Sequence, residues 1–172
     1  MTEDNTIKDV NNNPIITIEM ENGKTLKAEL FKDDAPITVA NFVKLTKEGF
    51  YDGLTFHRII PGFVAQGGDP KGNGTGGSKE NIKGEFMKNG VANSILHKKG
   101  VLSMARSAAP NSASSQFFIV LDDAPHLNGD YAAFGQVIEG MDVVEEMAKV
   151  ETNAMDKPLV EQKMKKVTVE EK

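Results

Sequence analysis

The chain has 172 residues, 39% of them hydrophobic and 26% charged, with a formal net charge of −5 and no cysteine. That length suits one domain around one core. The acidic balance leaves no broad basic field for a nucleic-acid backbone, and the absence of thiols excludes disulfides, cysteine nucleophiles and cysteine-held metals.

The opening stretch, "MTEDNTIKDVNNN", is polar and lacks the apolar core of a secretory leader, and no apolar run approaches membrane-spanning length. The expectation is a cytoplasmic protein with a flexible tail over residues 1–12 and one domain over residues 13–172. In "PIITIEMENGKTLKAEL", Ile16, Ile18 and Met20 alternate with polar residues, Asn22-Gly23 supplies a turn, and Leu26, Ala28 and Leu30 resume the alternation. This predicts a β-hairpin. "DAPITVANFVKLTKEG" then places Pro36 at a helix start, Val39, Phe42 and Val43 on one face, and Gly49 at the stop. A second helix is predicted in "GMDVVEEMAKV", with Asp142 at its start and Lys149 at its end. The runs "GLTFHRII", "GFVAQ", "GVLSMA", "SQFFIVL", "AAFGQVI" and "KMKKVTVEE" read as strands joined by loops. Strands that follow one another without alternating helices predict a mostly β fold, either an antiparallel sheet or a closed barrel, with two helices.

Two features ask for a functional reading. In "SSQFFIVL", Phe117, Ile119 and Leu121 point one way and Gln116, Phe118 and Val120 the other, so both faces are largely apolar and both need cover. A helix or a ligand groove would serve equally well. In "FHRIIPGFVAQGGDP", Arg58 stands in an apolar run, and the only nearby acid is Asp52. Either this guanidinium reaches water from an edge strand, or it converges with Phe63, Gln66 and Phe118 on an open groove where the ligand is its partner. His57, His97 and His126 are scattered and lack metal-ligand spacing, so no metal is expected. The serines at 112, 114 and 115 lack a nucleophile elbow. "KGNGTGGSK", residues 71–79, lacks the Lys-Ser/Thr and helix of a phosphate cradle and reads as a flexible rim loop.

"FHRIIPGFVAQGGDPKGNGTGG", "GVLSMAR", "NSASSQFFI" and "HLNGDYAAFG" resemble, in order and at compatible spacing, the motifs of the cyclophilins, the peptidyl-prolyl cis-trans isomerases. The resemblance spans about Ile15 to Val169 and is strongest to single-domain bacterial members. It implies a closed eight-stranded antiparallel β-barrel capped by two α-helices. It also implies rotation about X-Pro bonds and assistance to protein folding, without covalent intermediate or cofactor. Carried over by position, Arg58 is the catalytic arginine, with Gln66 and Phe118 beside it. Phe63, Val64, Phe118 and Leu127 form the slot for the proline ring. Gln66 and Gln116 hold substrate backbone or orient Arg58, Ala105 and Arg106 flank the residues before the proline, and His126 and Tyr131 stand on the rim.

Four departures modify that picture. Val64 replaces a frequent methionine and enlarges the slot. His126 replaces a tryptophan, which implies weakened affinity for cyclosporin-type cyclic peptides, and Tyr131 replaces a histidine and keeps a polar tip. Arg106 replaces a frequent asparagine and bears on subsite preference. The expected partners are proline-containing peptides and unfolded or folding proteins, not nucleic acid or membrane, and the expected state is a monomer. The competing reading is a cyclophilin-like peptide-binding or chaperone module in which isomerisation is incidental.

Overall fold

The structure is a computed structural model that describes residues 12–171, so all but the last residue of the expected tail lies outside the described residues. The alternation read at the start of the domain forms its hairpin. Strands β1 (Ile15–Met20) and β2 (Thr25–Leu30) pair antiparallel from Ile15↔Glu29 to Glu19↔Thr25. Gly23 turns between them at φ +87°, which glycine adopts without steric cost. Their apolar set, Ile16, Ile18, Met20, Leu26, Ala28 and Leu30, is buried on one face.

Six more strands extend the hairpin: β3 (Arg58–Ile60), β4 (Val64–Gly67), β5 (Val101–Met104), β6 (Phe117–Val120), β7 (Ala133–Glu139) and β8 (Met164–Glu170). They form one antiparallel sheet in the order β3-β4-β6-β5-β7-β2-β1-β8. The mostly β architecture with two helices agrees with the sequence reading, but the closed barrel does not. β3 and β8 end the sheet and share no ladder. Only residues 58–60 of the expected strand pair with β4. The residues before them turn to the start of β8, where Gly53 N–H donates to Met164 O (2.7 Å), Met164 N–H to Leu54 O (2.8 Å) and Phe56 N–H to Gln162 O (2.9 Å). Those bonds and one isolated bridge, Thr55↔Lys163, cross the seam, so the sheet is an open half-barrel.

Helix α1 (Pro36–Lys47) buries Val39, Phe42 and Val43, with Pro36 in its first turn as predicted. Helix α2 (Met141–Met147) is shorter than predicted and leaves Lys149 beyond its end. In the main core Phe42 stacks on Tyr51 (4.7 Å, 25°) and meets Phe117 edge-on (5.2 Å, 84°), arrangements that aromatic quadrupoles favour. Among the described residues no helix is long and apolar enough to cross a membrane.

The start of α1 has no local side-chain cap. Its first donors are satisfied instead by buried Glu85, whose Oε1 accepts from Thr38 N–H (2.6 Å) and Thr38 Oγ1–H (2.7 Å) while Oε2 accepts from Ile37 N–H (3.2 Å). A carboxylate at a helix N-terminus also meets the positive end of the helix dipole. Glu85→Ala strands these donors and is expected to lower stability by about 2 kcal/mol. Urea titration checks this, and an unchanged midpoint would remove Glu85 from the cap.

Candidate active site

Strand register assembles the site. Arg58 stands opposite Gln66, Gln66 opposite Phe118, and Phe118 opposite Ser103, so four strands contribute one row across the sheet. Side chains alternate along a strand, so this row shares a face. The neighbouring row, Ile59, Ala65, Ile119 and Leu102, lies in the main core. The doubly apolar β6 is thereby accounted for. Phe117 and Ile119 enter the main core, whereas Phe118 and Val120 join a second cluster with Val64, Val101, Ala124, Leu127 and Ala133. That second cluster contains no residue of α1 or α2; part of its cover is the 3₁₀ turn Pro125–Leu127.

A polar chain runs beside the apolar floor. Gln116 Nε2 donates to Gly76 O (2.7 Å) and Gly74 O (3.1 Å), Gln66 Nε2 donates to Gln116 Oε1 (2.9 Å), and Arg58 Nη1 reaches Gln66 Oε1 at 3.4 Å. Arg58 is exposed and forms no salt bridge among the described residues. It borders a groove of about 420 Å³. Phe63, Val64, Phe118 and Leu127 line the apolar part, Gln66 and Ala105 the side towards the polar chain, and Arg106, His126 and Tyr131 the rest. Every sequence-predicted site residue therefore meets there except Gln116. Gln116 lines an adjoining cavity of about 270 Å³ that shares Gln66, Ala105 and Arg106 with the groove. A larger groove, about 660 Å³, follows α1 past Val39 and Lys44 and includes none of these residues.

The rim is braced by ring contacts. His126 stacks on Phe63 (5.4 Å, 28°), and Tyr131 meets Phe118 edge-on (5.9 Å, 79°). Arg106 differs sharply from Arg58. Its Nη2 donates to Asp130 O (2.7 Å) and Asp130 Oδ1 (3.1 Å), and its guanidinium carbon lies 4.8 Å from the Phe86 ring centre and 4.7 Å from that of Tyr131. One arginine is a fixed wall and the other a free donor.

Sequence reasoning did not reach Asp130, Phe86 or the partners of Asp69. The glycine loop is not a free rim, because the buried Asp69 carboxylate accepts from the N–H groups of Lys71 (2.8 Å), Gly74 (2.6 Å) and Asn73 (3.1 Å). Burial alone would raise this carboxyl, yet main-chain N–H groups of Lys71, Gly76, Gly74 and Asn73 hold it below the ordinary carboxylate value. The usable signal was an aspartate leading into a glycine- and asparagine-rich run, the composition of turns bonded by their own side chains. Behind the floor, His97 stacks on Phe118 (6.1 Å, 24°). Its Nδ1 faces Asn128 Oδ1 (3.2 Å), which only accepts, so Nδ1 carries the proton and Nε2 accepts from Ser103 Oγ (2.8 Å). His57 is buried, and among the described residues neither ring nitrogen has a hydrogen-bond partner. Among the described residues no group of three or more His, Asp or Glu is placed to hold a metal ion.

Residues 15–169 match the family described as cyclophilin type peptidyl-prolyl cis-trans isomerase. The chain is 46% identical over 145 residues to peptidyl-prolyl cis-trans isomerase CYP18-1 of Arabidopsis thaliana, covering 84% of this chain and 89% of that protein. It is 50% identical over 129 residues to peptidyl-prolyl cis-trans isomerase B of Bacillus subtilis, covering 75% and 87%. A crystal structure of a cyclophilin type isomerase from Cryptosporidium parvum superposes with a TM-score of 0.84 at 32% identity, over 93% of this chain and 99% of that one. The same parasite protein was also solved in the presence of the dipeptide Ala-Pro.

The two buried histidines make stability depend on pH. Burial lowers the pKa of His57, only partly offset by the Asp69 charge and reinforced by Lys157 and Arg58. Burial likewise lowers that of His97, against the Asn128 hydrogen bond and with the His126 charge. An unfolded histidine titrates near about 6.5, so the unfolded chain binds protons first as pH falls. Stability is then full above that value and is lost as pH drops through the lower folded values. The melting temperature is expected to fall between pH 7.5 and 5.5, and to fall less in a His57→Gln/His97→Gln chain. Equal falls in the two proteins would assign the dependence elsewhere.

Proposed function

The chain belongs to the cyclophilin-type peptidyl-prolyl cis-trans isomerases and is an enzyme of that class, and from that premise we propose how the Arg58 groove turns an X-Pro bond. Its substrates are proline-containing peptides and folding chains, and the working unit is residues 13–172. The observation that carries the reading is an exposed guanidinium without a carboxylate partner among the described residues, bordering a groove with an apolar floor.

Amide resonance makes the X-Pro C–N bond partly double and sets a rotational barrier of about 18–20 kcal/mol. At the top of that barrier resonance is lost, the carbonyl oxygen is less negative and the nitrogen regains a lone pair. The twisted amide is less dipolar than either planar isomer. A slot of Phe63, Val64, Phe118 and Leu127 accepts the ring and excludes the water that would favour the planar forms. Arg58 donates to the pyramidal nitrogen, an acceptor that exists only in the rotated state. That is binding of the transition state in preference to the ground state. No bond breaks, so neither nucleophile nor cofactor takes part.

Magnitudes divide the work. An acceleration of about 10⁵ requires about 7 kcal/mol, and one preorganised donor supplies about 3–4. Positioning supplies much of the rest: Gln66 and Gln116 steady the guanidinium and the substrate backbone, while Ala105 and the Arg106 wall border the residues before the proline. His126, with its smaller face, weakens cyclosporin-type ligands relative to a tryptophan.

Arg58→Ala is expected to lose about 10²- to 10³-fold in turnover while still binding peptide. NMR exchange spectroscopy on a short Ala-Pro peptide measures both. Unchanged turnover takes Arg58 out of the mechanism. In a proline-limited refolding reaction, acceleration by far less than one equivalent of the natural chain supports catalysis of folding. Dependence on stoichiometry would favour capture instead.

A further inference from the structure

Resting on the reading of Arg58 as the donor, we infer that Asp69 is a positioning residue for the isomerisation, acting through the glycine loop, Gln116 and Gln66 on the Arg58 guanidinium. Asp69 is 1% exposed, and its carboxylate is satisfied by main-chain N–H groups that lie two, four and five residues further on. These bonds curl the loop around the carboxylate, and a Cβ built on Gly76 would collide with Asp69 Oδ1. The curled loop aims two carbonyls, Gly74 O and Gly76 O, at Gln116 Nε2.

Polarity then passes along the row. A side-chain amide has one donor end and one acceptor end. Two carbonyls demand the NH₂ end of Gln116, so its oxygen must face Gln66, where it accepts from Nε2 at 2.9 Å. Gln66 in turn must present its oxygen to Arg58 Nη1, at 3.4 Å. The guanidinium, which has donors only, meets an acceptor and is left with its other N–H groups for the groove. Were the loop carbonyls turned away, nothing would fix the first amide. A reversed chain would set an NH₂ group against the guanidinium, donor to donor. Asp69 touches neither substrate nor Arg58; it sets which end of each amide faces the next.

The test is a kinetic cycle. Asp69→Asn keeps the shape but places an NH₂ group against main-chain N–H donors. The expected result is a fall in kcat of about tenfold with KM changed by less than about twofold, since the groove walls are untouched. Gln116→Ala is expected to lower kcat comparably, and in Asp69→Asn/Gln116→Ala the two losses should not multiply, because both break one chain. Unchanged kcat in Asp69→Asn, or losses that multiply, overturns the inference. Should Asp69→Asn lose cooperative melting, Gly76→Ala, which forces the loop off the carboxylate from its other side, takes its place in the same cycle with the same expected outcome. Arg58→Ala in the same assay separates the two readings. If it retains turnover, both fall; if it is inactive while the cycle multiplies, only the role of Asp69 falls.

Discussion

The pairing of Gln66 with Phe118 between β4 and β6 is the constraint on which the site depends. It brings the "VAQG" strand and the "FFIV" strand, about fifty residues apart in sequence, into one row, with a polar amide and an aromatic floor side by side. Because side chains alternate with a period of two, a slip of one residue would send Arg58 and Gln66 into the main core and Ile59 and Ala65 to the groove. Burying an unpaired guanidinium costs several kcal/mol, and exposing Ile59 forfeits its own burial. Both penalties act on the same register, so the forces that pack the core also aim the site. The pairing needs a close approach at its end. Gly68 sits at φ +89°, and a Cβ there would lie 2.7 Å from Ser115 O.

The two arginines of the groove show how one side-chain type serves two purposes. Arg106 has a carboxylate, a carbonyl and two aromatic faces, and such a guanidinium is held in place and shapes a wall. Among the described residues Arg58 has only a long contact to an amide oxygen. In the proposed mechanism a strong internal partner would compete with the substrate nitrogen for its hydrogens, whereas no partner at all would leave a flexible side chain to be ordered in each turnover, at an entropic cost. A neutral acceptor lies between these limits: it orients the group without neutralising it.

Much of this was legible in the sequence because it is written in periods and local signals. Alternation at Ile16, Ile18 and Met20 marks the hairpin, the 3.6-residue stripe of Val39, Phe42 and Val43 marks α1, and the two-sided apolarity around Phe118 marks a second face needing cover. Features that depend on distant partners were not legible. Glu85 caps a helix through Ile37, 48 residues before it, Asp130 pairs with Arg106 across 24 residues, and no periodicity announces either. The open ladder is of the same kind. "GLTFHRII" has the composition of one continuous strand, yet its first half bonds to residues 162–164 at the other end of the chain, and composition cannot divide a strand between two neighbours. Asp69 lay closer to reach, since its partners follow within five residues; what sequence could not supply was that the loop it curls faces Gln116.

The open edge is itself useful to the site. β3 is the end of the ladder, so Arg58 has a neighbouring strand on one side only. In a central strand a guanidinium would be flanked by side chains on both sides and would lose more of its hydration. On the edge it keeps its hydration, so an exposed charge and an apolar floor can border the same groove. An exposed edge carries a hazard, because unpaired main-chain groups invite another chain to add a strand. Here the Ile59 N–H donates to Asp156 O at 2.8 Å, and Asp156 itself holds φ +63° to present that carbonyl. The loop before β8 therefore occupies the edge of β3 without extending the ladder. The seam that leaves the barrel open and the loop that covers it both hold the strand bearing Arg58, one at residues 53–56 and the other at Ile59, so the edge keeps the Arg58 side chain exposed while the outward Ile59 N–H is already bonded.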